Sequence, residues 1–183
     1  MEAPVALLYR LFFAVKPPAQ VARQIDRFAE TLDSSADRIR PENQHVTLGI
    51  TNDEPSYPYE RIEALRQMGA GIGAAPFDLL LDRLSIGGRS AALRPSHRIR
   101  GLLALRQEVA RAMQGAGVQS RIGWAFSPHQ TLFYRRSPPE QRAVAGFGWR
   151  VEDVVLICSH VGHTRHDIVG RWPLSGDRQY RLL

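Results

Sequence analysis

The 183-residue sequence predicts an α+β fold made of two similar lobes with a cleft between them. Three observations lead there. The four-residue pattern His45-Val46-Thr47-Leu48 returns as His129-Gln130-Thr131-Leu132. Each copy lies in a run, Gln44 to Ile50 and Pro128 to Tyr134, rich in the β-branched and aromatic residues that strands favour. Strand-like and helix-like segments also alternate around the motif in each half, the pattern of a layered α+β domain.

The elements follow in chain order. The apolar run from Val5 to Val15 is broken by Arg10 and followed by Lys16-Pro17-Pro18, so it reads as an opening strand and not as a leader segment. Val21, Ile25, Phe28 and Leu32 recur at helical spacing and predict an amphipathic helix over Ala19 to Thr31, entered through Pro17 and Pro18. Asp33-Ser34-Ser35 ends that helix, and Ile39 to Ile50 carries the chain through the first motif. Gly49 is expected on the face of His45 and Thr47, leaving that surface open for a ligand. Asn52 to Pro58 has loop composition. Ile62, Leu65 and Met68 describe a second helix, stopped by Gly69 to Gly73; this glycine run follows a helix instead of a strand and has the wrong spacing, so it is a poor dinucleotide fingerprint and reads as a helix stop and turn. Phe77 to Ser85, a turn at Gly87-Gly88 and Ala91 to Leu93 form a hairpin. Leu102, Leu105, Val109 and Met113 place a third helix over Ile99 to Gln114, closed by Gly115. Trp124 and Phe126 lead into the second motif, and Val151 to His160 and Asp167 to Trp172 read as a last strand pair around Gly162.

A chain of this length buries roughly 70% of the surface its unfolded form exposes, enough for one domain over residues 1–183. Its single cysteine, Cys158, adjoins the apolar run Val154 to Ile157, so a disulfide framework is excluded and a reducing compartment is indicated. Cys158 itself reads as a small buried hydrophobe. No stretch approaches the roughly 18 apolar residues of a membrane helix, and the expectation is a cytoplasmic protein with no membrane partner. The formal charge is +6, and Lys16 is the sole lysine among the cations. Arginine forks suit phosphate, although a general preference for Arg, Ala, Gly and Pro accounts for most of that bias.

The chemistry rests on the motifs. Alternation along a strand puts His45 and Thr47 on one face, and likewise His129 and Thr131. Two imidazoles across a cleft can divide the breaking of a phosphate ester, one accepting a proton and one donating it, and neither job needs a metal. Histidine suits both because its unperturbed pKa lies at about 6.5. Threonine hydroxyls can donate to non-bridging phosphate oxygens. The residues alone do not say which histidine plays which part. Continuing the alternation puts Phe133 and Arg135 on the same face, as candidates for stacking on a base and contacting a phosphate; a solvent-shielding aromatic and a solvated arginine are the ordinary alternatives. Gln130, if buried, must find a hydrogen-bond partner. His160, His163 and His166 invite a metal reading, but alternation separates them and no carboxylate cluster accompanies them, so no metal or cofactor is expected. His97 reads as a surface residue.

With these residues in view, the chain resembles the two-histidine (2H) phosphoesterase superfamily, and within it the RNA 2′,3′-cyclic phosphodiesterases also called 2′-5′ RNA ligases. The likeness extends from Tyr9 to Val15, through both motifs and Leu81-Asp82-Arg83-Leu84, to Trp149 through Leu174. It implies antiparallel sheets with outer helices flanking a central cleft, and metal-independent opening of an RNA 2′,3′-cyclic phosphate end to a 2′-phosphomonoester. It further implies His45 as proton donor to the departing 3′-oxygen, His129 as the base that activates water, and Thr47 and Thr131 as phosphate-binding residues. The partner would be an RNA or nucleotide with a cyclic phosphate end, the protein a monomer, and 2′-5′ ligation the reverse reaction. The chain departs from the family pattern at Gln130, usually apolar, and at Tyr134, often basic. Two other readings stand beside this one: a phosphodiesterase for a small cyclic nucleotide or 2′-5′ oligonucleotide, and a non-catalytic RNA-binding module that only grips phosphate.

Overall fold

The computed structural model describes residues 7–176. In chain order it contains β1 (Leu8–Val15), α1 (Ala19–Leu32), a 3-10 turn (Pro41–Asn43), β2 (Val46–Ile50), α2 (Tyr59–Gly69), β3 (Phe77–Ile86) and β4 (Ser90–Arg94). There follow α3 (Arg100–Gly115), β5 (Gln130–Tyr134), β6 (Glu140–Val151), β7 (Asp153–Val161) and β8 (Arg165–Pro173). The strands make two four-stranded sheets, ordered β2-β1-β7-β8 and β5-β4-β3-β6. Every pairing is antiparallel. Each motif strand, β2 and β5, is therefore an edge strand of its sheet.

Strand β1 is apolar on both faces because both are covered. Leu11, Phe13 and Val15 enter the main core. Phe12 and Ala14 join Val155 and Ile157 in a smaller cluster on the opposite face, with Ile50 packed against it. The helices follow their predicted faces: α1 buries Ala22, Ile25 and Ala29, and α3 buries Leu102, Leu105, Val109, Ala112 and Met113. The lobes share their interior. Helix α1 lies against β5 and β6 of the second sheet, α3 touches β2 of the first, and the main cluster contains buried residues of both sheets. The outer edge of each motif strand also receives a backbone bond from the segment preceding the other motif. Ile39 N–H donates to the Leu132 carbonyl, and Arg121 N–H to the Ile50 carbonyl, both at 2.8 Å.

Strand β6 has no counterpart in the sequence reading. From Glu140 to Gly146 its residues are mostly exposed and do not alternate in polarity, and only Phe147, Trp149 and Val151 at its end alternate inward, so its own pattern carries little strand signal. It forms because β3, with Leu79, Leu81 and Leu84 fully buried, offers it a partner edge from Phe77 to Ile86.

Both motif strands carry a bulge at the same place. Phe13 pairs with Gly49 but Ala14 with Thr47, leaving Leu48 as the extra residue. Ala91 pairs with Phe133 but Ala92 with Thr131, leaving Leu132 extra. A bulge reverses the alternation beyond it. The residues that follow each motif therefore face the other way from a regular strand, and two expectations fail for this reason. Gly49 is buried against α3, where an added Cβ would lie 2.7 Å from Met113 Sδ, so its missing side chain admits the helix and not a ligand. Phe133 is 3% exposed and belongs to the core.

Candidate active site

A cleft of about 470 Å³ is lined by His45 and Thr47 from the first motif and by His129 and Thr131 from the second. Its remaining wall includes Arg10 and Phe12 of β1, Arg40 and Asn43 before β2, Tyr134 at the end of β5, and His166 of β8. The two bulges turn Ile50 and Tyr134 into the cleft in place of Gly49 and Phe133.

The two imidazoles are held alike. His45 Nδ1 donates to the carbonyl of Asn43, and His129 Nδ1 to the carbonyl of Ser127, each two residues back and each at 2.7 Å. A carbonyl only accepts, so Nδ1 carries its proton in both rings and Nε2 is left as the nitrogen that takes up or releases one. The approach to His45 is pinned from two sides. Lys16 Nζ donates to the carbonyls of Glu42 (2.6 Å) and Gln44 (3.2 Å), and Asn43 Nδ2 to the carbonyl of Thr164 (2.9 Å) in the β7–β8 turn. Next to each histidine stands a glutamine. Gln130 finds its partner in Gln44, Nε2 to Oε1 at 3.0 Å, and both are buried.

Burial lowers the His45 pKa to about 4, and the charges of His166, Lys16 and His129 push in the same direction against the Asn43 hydrogen bond. Its ring lies over Phe12, centroids 4.7 Å apart, and 5.5 Å from the ring of His166. His166 is likewise lowered, by burial first and Lys16 second. Lys16 is lowered by its own burial and by Arg171. At one side of the cleft Arg10 forks onto Asp53, at 2.5 and 2.8 Å, and Arg121 reaches the same carboxylate at 2.9 Å. The Arg10 hydrogen bond chiefly holds Asp53 below the usual carboxylate range. This cluster joins the loop after β2 to the loop before β5.

Of the residues singled out from sequence, His45, Thr47, His129 and Thr131 share the cleft, while Phe133 and Arg135 lie outside it. Phe133 is in the core, so it offers no face to a base. Arg135 Nη1 donates to Asp33 and, at 2.7 Å, to Ser35 Oγ, tying the end of β5 to the loop after α1. Its charge is engaged there. Tyr134, 69% exposed, lines the cleft in their stead. Among the described residues no group of three or more His, Cys, Asp or Glu is gathered for a metal ion. His160 and His166 sit one register step apart on paired strands, opposite Arg165 and Ser159 respectively, and so face opposite ways. His160 binds Asp167 through Nε2 at 2.8 Å, both His160 and His166 are among the residues that line the cleft, and His163 lies in the turn between. Cys158 is fully buried, its thiol pKa pushed up to about 11 by that burial.

Sequence reasoning missed Arg10, Phe12, Arg40, Asn43, Tyr134 and His166 as cleft residues. Phe12 carried a usable signal, being apolar out of phase with Leu11 and Phe13, and so did Tyr134, at a position that the resembling family often fills with a basic residue. The others come from strand pairing between distant segments.

The sequence model of the 2′-5′ RNA ligase superfamily matches residues 17–162. The RNA 2′,3′-cyclic phosphodiesterase of Escherichia coli K12 is 30% identical over 175 residues, which cover 91% of this chain and 97% of that protein. Among solved structures, E. coli LigT complexed with 3′-AMP is similar with a TM-score of 0.76 and 24% identity, over 92% of this chain and 99% of that one. A protein of Thermus thermophilus gives a TM-score of 0.73 at 21% identity, over 92% and 99%. These structural likenesses concern the fold. No helix among the described residues is long and apolar enough to cross a membrane.

Proposed function

The chain belongs to the 2′-5′ RNA ligase superfamily, and on that premise we propose that it opens the 2′,3′-cyclic phosphate end of an RNA to a 2′-phosphomonoester, using two histidines and no metal. The observation that carries this reading is the matched pair of imidazoles, each with Nδ1 committed to a carbonyl two residues back and each beside a threonine in one cleft.

In the reaction, water attacks phosphorus in line with the bond to the 3′-oxygen. His129 Nε2 takes a proton from the water as the new P–O bond forms. His45 Nε2–H delivers a proton to the 3′-oxygen as the P–O3′ bond breaks. The hydroxyls of Thr47 and Thr131 donate to the non-bridging oxygens, where negative charge gathers. The products are a 2′-phosphate and a free 3′-hydroxyl, with His129 protonated and His45 neutral until solvent resets both. With a 5′-hydroxyl in place of water, the same steps join P to the 5′-oxygen as the P–O3′ bond breaks and make a 2′-5′ bond, whose cleavage is the reverse reaction. The protein's own groups set the His45 pKa of about 4. A bound phosphate anion favours the imidazolium, so His45 serves as the acid once substrate is in place.

The test is to incubate the purified protein with an oligonucleotide ending in a 2′,3′-cyclic phosphate and identify the new end. A 2′-phosphate should form, unaffected by EDTA. His45→Ala and His129→Ala should each lower kcat by roughly 10² to 10⁴. Activity lost in EDTA and restored by a divalent metal, or full activity in either variant, rejects the mechanism.

A further inference from the structure

The two motif strands lie at the edges of different sheets, so no ladder of backbone hydrogen bonds sets the distance between His45 and His129. Gln44 precedes the first histidine and Gln130 follows the second. Their side chains meet in the gap, Gln130 Nε2 donating to Gln44 Oε1 at 3.0 Å. Gln44 is 2% exposed and Gln130 fully buried.

This bond is a poor device for stability alone. Gln130 Oε1 is buried with no hydrogen-bond partner among the described residues, and an unpaired buried acceptor is destabilising. Two apolar side chains of the same size would fill that space without the cost. The amide pair does supply direction and length, which apolar contact lacks. The Gln44 end is rigid, its backbone carbonyl being held by Lys16. The Gln130 end lies within β5, opposite Leu93 of β4.

We propose that Gln44 and Gln130 are positioning residues, whose buried amide-to-amide bond sets the spacing and facing of His45 and His129 across the cleft. The proposal rests on the two-histidine reading of the site. Neither glutamine lines the cleft, so each acts through the histidine beside it. An error of about 1 Å in the placing of a reacting group costs up to 10²-fold in rate.

The test uses Gln44→Leu/Gln130→Leu in the full chain, with three readouts: thermal unfolding, kcat on a cyclic-phosphate-ended oligonucleotide, and affinity for inorganic phosphate. Replacing both partners by apolar groups should keep the melting temperature within about 3 °C of wild type. The same variant should lose 10- to 100-fold in kcat and bind inorganic phosphate roughly tenfold more weakly, because phosphate bridges both motifs. Gln44→Asn, shorter by one methylene, is the second variant. It withdraws the acceptor while staying polar and should lower kcat comparably. Wild-type kcat and phosphate affinity in either folded variant overturn the proposal, since a merely structural bond would leave both unchanged. Should the wild-type protein open no cyclic phosphate at any pH, the reaction is wrong. Weakened phosphate binding by the double variant would then still uphold the spacing role, and unchanged binding would end it.

Discussion

His45 and His129 occupy equivalent settings, yet His45 is the more enclosed, lying over Phe12 and beside His166. That asymmetry has a kinetic consequence if His45 is the acid. kcat/KM reports the free protein, in which a His45 pKa of about 4 makes the protonated form scarce above that pH. kcat reports the bound state, where the phosphate anion supports the charge. The inflection governed by His45 is thus expected at lower pH in kcat/KM than in kcat. Full pH profiles of both constants check this, and profiles that coincide on both limbs would contradict the assignment. Lys16, the single lysine of the chain, belongs to the same scale. Its ammonium holds two carbonyls of the turn before His45, and its charge favours neutral His45.

At the scale of the element, the bulges at Leu48 and Leu132 decide which residues meet a substrate. A regular strand would turn Phe133 to the cleft and Tyr134 away from it. The extra residue reverses them, burying Phe133 to 3% and leaving Tyr134 69% exposed on the cleft wall. The two substitutions should therefore separate cleanly. Phe133→Ala is expected to cost about 3–5 kcal/mol of stability, as for other buried aromatics. Tyr134→Ala should leave the melting temperature unchanged and raise KM for an RNA end roughly tenfold, by removing a face on which a base can stack. Chemical denaturation and steady-state kinetics on both variants decide it, and the reverse pattern would place the bulge elsewhere. In both motifs the terminal leucine is the residue that breaks the register.

Across the whole molecule the halves are interlocked. Strands β7 and β8, last in the chain, complete the sheet begun by β1 and β2, while α1 packs on β5 and β6. Arg121 and Ile39 cross between halves to close the edges of the motif strands. A fragment ending at Pro95 keeps β1 through β4 but leaves β1 without β7, and α1 without β5 and β6. It is expected to lack a cooperative unfolding transition, and calorimetry of the fragment tests this. A sharp transition of its own would show that the lobes are independent. The interlocking lets two edge strands from different sheets face each other with fixed geometry.

Much of this was legible in the chain itself. The repeated His-x-Thr-Leu, the helical spacing of Val21 to Leu32 and of Leu102 to Met113, and the apolar β1 each depend on side chains a few residues apart, a range over which helix and strand periodicity is strict. From them follow the α+β class, the two motif strands and the four residues that share the cleft. What lies beyond depended on contacts between distant segments. Strand β6 exists because β3 presents an edge to it. Phe133 and Gly49 face the core because β4 and β1 run one residue short against their partners. The partner of Gln130 is Gln44, in the turn before β2, and the cleft wall of Arg10, Arg40 and His166 is assembled from three separate strands and loops. Local periodicity determines which way a side chain points within its own element; only the pairing of elements, where a single inserted residue reverses every face beyond it, determines what that side chain meets.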